Sequence, residues 1–129
     1  MFMQSFSIKL PTYVLDEIID YSKEAFPREF FAFLEGKRRI DLVIIENLAY
    51  YPNVTSRTSV TTIFHIGTNM NDFVGTVHSH PSGNNLPSRN DLRTFNKRGV
   101  IHFIIRHPFT KESIRCFGSN GQELDFEAI

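Results

Sequence analysis

The sequence holds one cysteine, Cys116, among its 129 residues. A lone cysteine excludes an internal disulfide and any zinc centre built on cysteine clusters, and it fits a reducing compartment. Net charge is missing too: 14 Lys+Arg balance 14 Asp+Glu. A general nucleic-acid binder carries a basic excess, so no nucleic-acid partner is expected. The short run Lys37-Arg38-Arg39 reads as a solvated turn between strands. No apolar run approaches the ~20 residues that span a bilayer, so no membrane partner is expected either. The opening MFMQSFSIKLP is too polar from Gln4 to Ser7 for a signal peptide. Together these features predict a cytoplasmic protein. Tryptophan is absent and 13 phenylalanines are present, which predicts a phenylalanine-built core. The length suits one domain that buries about two-thirds of its unfolded surface, and no repeat or linker divides it.

Hydrophobic periodicity then orders the elements. In PTYVLDEIIDYSKEAFP, the residues Val14, Leu15, Ile18, Ile19, Ser22 and Ala25 recur at helical spacing, with Pro11 in the first turn and Pro27 as the stop. EFFAFLEG reads as a short strand ending at Gly36, and RRIDLVIIENLAYY as a second strand buried around Leu42 to Ile45. PNVTSRTSVTT reads as an exposed loop, and IFHI as a further strand. FVGTVHSH and VIHFIIR read as strands on either side of a helix, SRNDLRTFNKRG, capped by Gly99. SNGQ between ESIRCFG and QELDFEA predicts a closing hairpin. The order implies an α/β or α+β three-layer domain, with the sheet between helices.

Chemistry concentrates in VGTVHSHPSGNNLPSRND. Residues two apart on a strand share a face, so His78 and His80 can aim both imidazoles at one point. A catalytic zinc site has three protein ligands and an open position. Asp91 is a plausible third once the chain turns at Pro81–Asn85 and re-enters a helix at Ser88. Ser88 and Asp91 also match a capping box, and Ser-x-x-Asp alone is more often a cap than a site. Two histidines and a carboxylate together make a mixed N/O shell suited to Zn²⁺. A hydrolase further needs a base for the attacking water and a donor for the developing oxyanion. Ser88 is a candidate donor, and the base must be a carboxylate elsewhere.

The pattern His-x-His, proline, then Ser-x-x-Asp resembles the metalloprotease motif of the JAMM (MPN+) domain, and VGTV resembles the family's strand leading into it. FPREFFAFLEG is similar to the family's upstream glutamate segment and puts Glu29 in that place, with Glu24, Glu35 and Glu46 as rivals. IKLPTYVLDEIIDYSKEAF sits where the family has its first helix. The resemblance implies a single JAMM/MPN+ domain over residues 1–129, with a mixed, curved β-sheet flanked by helices and similar to cytidine deaminase. It implies one Zn²⁺ per chain held by His78, His80 and Asp91, Glu29 as base and proton carrier, and Ser88 as oxyanion donor. The remaining histidines, His65, His102 and His107, are expected outside the site, and Cys116 in the core.

The implied function is a zinc-dependent isopeptidase or peptidase. It would hydrolyse the bond after the C-terminal glycine of a ubiquitin-like or sulfur-carrier protein, in a compact prokaryotic-type enzyme that is a monomer or homodimer. The modifier's tail would add as a strand at a sheet edge, with Pro52–Val60 as a groove wall. The alternatives are a non-catalytic scaffold module, or a zinc hydrolase that releases an amino acid from a carrier protein.

Overall fold

A computed structural model describes residues 4–52, 73–95 and 99–129 of the chain. In chain order the elements are β1 (Ser7–Leu10), α1 (Thr12–Ala25), β2 (Phe31–Arg38), β3 (Leu42–Ala49), β4 (Phe73–His80), α2 (Arg89–Phe95), β5 (Ile101–Arg106), a 3-10 turn (Lys111–Ser113), β6 (Ile114–Gly118), β7 (Glu123–Leu124) and β8 (Glu127–Ala128). The expected IFHI strand, His65 and all but Pro52 of the expected groove wall lie outside the described residues.

The strands form one mixed sheet in the order β7-β6-β5-β4-β2-β3-β1-β8. β7 and β8 stand at opposite ends of that order, yet only Asp125 and Phe126 separate them in the chain. The three Cα–Cα steps from Leu124 to Glu127 reach about 10–11 Å at most, so the sheet must curl until its ends nearly meet. Further hydrogen bonds hold the closure: Thr12 N–H to the Ile129 carbonyl at 2.8 Å and Ile129 N–H to the Leu10 carbonyl at 2.9 Å.

Strand alternation sorts the two faces. Ile101, Phe103 and Ile105 of β5 join Val14, Leu15 and Ile18 of α1 in the main core. The intervening Ile104 packs instead with Phe95 of α2 and with Phe117. The helices therefore cover opposite faces, as three layers require. On the α2 side, Phe31 and Phe33 of β2 pack with Ala49 and Phe73. The phenylalanine-rich core is real: Phe30, Phe33, Phe95, Phe103, Phe109 and Phe117 are among the largest fully buried side chains.

Three readings of the sequence need correction. β2 does not end at Gly36; it runs on to Arg38 through a register shift between Glu35 and Gly36. A Cβ on Gly36 would stand 2.1 Å from the Ile44 carbonyl oxygen, so this glycine permits a close strand crossing. Lys37 and Arg38 consequently belong to the strand and only Arg39 to the turn. Ile8–Leu10, grouped with the first helix by resemblance, is strand β1, and the helix starts after Pro11. The histidines lie on β4, which is paired on both sides, to β2 and β5.

Candidate metal centre

β4 delivers the histidines. His78 is buried at 2% exposure and His80 is half-buried, and their Nε2 atoms lie 3.1 Å apart. The Pro81–Asn85 turn then returns the chain so that α2 brings Asp91 alongside. Its Oδ1 is 3.2 Å from His78 Nε2, and its Oδ2 is 3.1 Å from His80 Nε2. Ligands about 2.0–2.1 Å from a tetrahedral zinc stand about 3.3–3.4 Å from one another, so this donor triangle is close to the right size.

The tautomers fit as well. His80 Nδ1 donates to the Asn84 carbonyl oxygen at 2.8 Å. A carbonyl only accepts, so Nδ1 carries the proton and Nε2 offers a lone pair inward. Without a cation, a proton on Nε2 can take its place and donate to the Asp91 carboxylate. The charges respond accordingly. Burial alone would push the Asp91 carboxyl up, but hydrogen bonds from His78 and His80 outweigh it and hold the group far below its usual range. The hydrogen bond to Asp91 raises His80.

Glu29 arrives from the far side, on the segment entering β2. Its carboxylate lies in a group with His78 and His80 whose ligand atoms are all within 4.8 Å of one another. The seat comes from Ser79, whose Oγ accepts the Phe30 N–H at 2.7 Å while its own N–H donates to the Phe30 carbonyl at 2.9 Å. Of the rival carboxylates, Glu35 and Glu46 lie along β2 and β3, and Glu24 lies on α1. Among the described residues, only Glu29 enters the histidine cluster.

Ser88 caps α2. Its Oγ accepts the Asp91 N–H at 3.0 Å, and its own N–H donates to Asp91 Oδ2 at 2.9 Å. This reciprocal box is the capping arrangement the sequence suggested, and it grips the same carboxylate that meets the histidines. Among the described residues, Ser88 Oγ only accepts, from the Asp91 N–H. Beside the cluster opens a cleft of about 570 Å³, lined by Tyr21, Glu24, Arg28, Glu29, Tyr50 and His78 among others. The Tyr21, Phe30 and Tyr50 rings contact one another along its wall.

The model of prokaryotic homologs of the JAB domain matches residues 11–117. The chain belongs to this family. The JAB-type chain is also 31% identical over 123 residues to a probable metalloprotease of Haloferax volcanii, a match covering 89% of this chain and 75% of that protein. Its fold superposes at a TM-score of 0.70, with 28% identity, on a JAMM protein described as having a metalloprotease-like zinc site in the proteasome and signalosome, over 96% of this chain and 97% of that one. A JAB1/MPN domain protein from Archaeoglobus fulgidus matches at 0.69 and 29%, over 98% and 99% of the two chains. A Desulfitobacterium hafniense protein with 20% identity and a TM-score of 0.71, covering 95% and 92%, shares the fold. JAMM proteins bind zinc, and the JAB-type cluster of Glu29, His78 and His80 could hold such an ion.

Sequence reasoning missed several residues of the JAB-type site. Ser79 sits between the histidines on the strand face turned to the main core, and a polar residue on that face was its available signal. Asn84, which acts through its carbonyl, left no signal of side-chain type. His102 was expected to be partly buried; it is fully buried, with Nδ1 2.7 Å from Thr76 Oγ1. Burial pushes its imidazolium down to about 3, against weaker opposing effects of the Gly99 and Phe95 backbone. His107 is exposed against Phe26 and Phe109. Cys116 is a free, buried thiol that burial pushes up.

Proposed function

We propose that this protein is a zinc-dependent isopeptidase or peptidase. Its substrate is the bond after the C-terminal glycine of a ubiquitin-like or sulfur-carrier protein. The observation that carries this reading is the donor triangle of His78, His80 and Asp91, with 3.1–3.2 Å edges, beside a Glu29 carboxylate within 4.8 Å of both histidines. A cleft along Glu29 and His78 gives an extended chain room to lie against the site.

In this reading, His78, His80 and Asp91 would hold one zinc ion per chain, which would supply Lewis acidity to a water molecule and to the scissile carbonyl. Glu29 takes the proton of the attacking water and returns it to the leaving amine. The Ser88 hydroxyl donates to the developing oxyanion, while its backbone keeps Asp91 in place. The tail lies in the cleft beside Tyr21 and Tyr50, and a diglycine end suits the approach because it has no side chains to clash there.

The test incubates the protein with conjugates of candidate ubiquitin-like and sulfur-carrier proteins, with and without chelator, and reads products by mass. Cleavage after the terminal glycine that chelator abolishes and zinc restores supports the assignment. His78→Ala is expected to lose zinc, whereas Glu29→Gln keeps zinc and loses hydrolysis. Normal turnover by Glu29→Gln would show that the base is another group. A wild type that carries no zinc and cleaves nothing leaves a scaffold module as the function.

A further inference from the structure

Asp91 lies on α2, whose described residues, Arg89–Phe95, bury two side chains, Asp91 and Phe95. A buried carboxylate gives no hydrophobic anchorage. Phe95 is the fully buried apolar side chain among these residues. It sits four residues after Asp91, on the same helix face.

Its seat is unusual. The Phe95 ring lies flat on the His102 imidazole, with centroids 4.2 Å apart and planes within 4°. It also leans on the His78 ring at 6.3 Å. His102 is fully buried on β5, opposite Thr76 in register, and Thr76 Oγ1 meets its Nδ1 at 2.7 Å. Its Nε2 has no hydrogen-bond partner among the described residues. An aliphatic residue would offer no flat platform.

We infer that the Thr76–His102–Phe95 stack is the positioning device for Asp91. Thr76 sets the plane of the His102 ring, that plane seats Phe95, and Phe95 fixes the helix that holds Asp91 against His78 and His80. Phe95 and His102 are positioning residues, and the inference rests on the reading of the triangle as a zinc site. A plain core role for Phe95 predicts something different: stability would fall, but the folded protein would bind zinc as before.

The test compares Phe95→Leu, His102→Ala and His102→Phe in the full chain. Zinc affinity is read by competition with a chromophoric chelator, and folding is checked by thermal melting. Phe95→Leu and His102→Ala are expected to weaken zinc binding by about 10–100-fold, the scale for lost outer-shell support, and to lower kcat more than they raise KM. His102→Phe keeps a flat ring and is expected to recover most of the affinity. In the metal-free protein, amide exchange over 89–95 should quicken in the first two variants and not in the third. Unchanged zinc affinity in folded Phe95→Leu and His102→Ala overturns the inference, as does His102→Phe binding no better than His102→Ala. Should Phe95→Leu fail to fold, the two His102 variants decide alone. A wild type that binds zinc but cleaves no conjugate sinks only the proposed activity, because the affinity comparison still reads the stack.

Discussion

In the proposed site single residues do two jobs at once, and Ser88 is the clearest case. Its Oγ and N–H close a capping box with Asp91, so the cap and the site share atoms. Ser88→Ala is expected to cost about 1 kcal/mol of stability through the lost cap. It should also slow turnover by about 10²–10³-fold through the lost oxyanion donor. Steady-state kinetics beside thermal melts separate the two; a slowing under tenfold would leave Ser88 a cap alone. His102 gives a second prediction. Its folded value of about 3 lies below the ordinary 6.5, so between those pH values the unfolded chain binds a proton that the folded one refuses. Its contribution is full above about pH 6.5 and falls toward pH 3, by up to about 1.4 kcal/mol per pH unit. In metal-free protein, His102→Phe should flatten the pH dependence of the urea midpoint below 6.5 by about one proton, and parallel profiles would clear His102 of the effect. The convergence of His78, His80 and Asp91 was legible because strand and helix periods fix where their side chains go. Glu29 was less so, since its place depends on the Phe30–Ser79 pairing, a contact between segments far apart in the chain.

At the level of elements, legibility followed length and period. α1, β4 and β5 match their hydrophobic patterns, each having enough residues to show one. The end of β2 did not, because a glycine that usually stops a strand here admits a close crossing at Ile44. β4 shows the same device where it matters for the site. A Cβ on Gly75 would stand 1.7 Å from the Ile101 carbonyl oxygen, in the parallel pair that also aligns His78 with Ile104. Gly99 (φ 112°) crowds this spot as well, since a Cβ there would meet the Gly75 Cα at 2.8 Å. Backbone cannot yield as a side chain tip can, so Gly75→Ala must push β5 from β4. The expected loss is at least the ~1–3 kcal/mol of core overpacking, measured as a lower denaturant midpoint. Because the shift separates the strands that support His78 and His102, zinc affinity should fall with it. A variant with an unchanged midpoint would mean that the strands have slack the structure does not show.

Over the whole molecule, the sheet's curl agrees with the curved sheet that the family resemblance implied, but no local pattern displays it, because it depends on two residues joining opposite ends of an eight-strand order. β7 and β8 have two residues each, too few to display a period. The closure gathers many small contacts: Gln4 bonds the Asp125 carbonyl and receives the Asp125 N–H, Phe126 meets Phe103 edge-on at 5.1 Å, and Ile129 bonds Leu10 and Thr12. The Lys9–Glu127 ion pair is exposed at the glutamate and adds little, so Glu127→Gln should leave the melting temperature nearly unchanged. Removal of residues 126–129 is a different matter. It strips the Phe126 contact, the parallel pairing of β8 with β1 and the bonds at the start of α1. Loss of one largely buried phenylalanine and a few hydrogen bonds is expected to cost about 2–4 kcal/mol. None of the lost atoms belongs to β4 or α2, so the truncated protein, while folded, should still take up zinc in the same ratio as the full chain. Melting curves and metal analysis on the same samples check both halves. An unchanged melting curve would show that closure adds no stability, and zinc lost while the fold persists would show that the curl itself shapes the metal site.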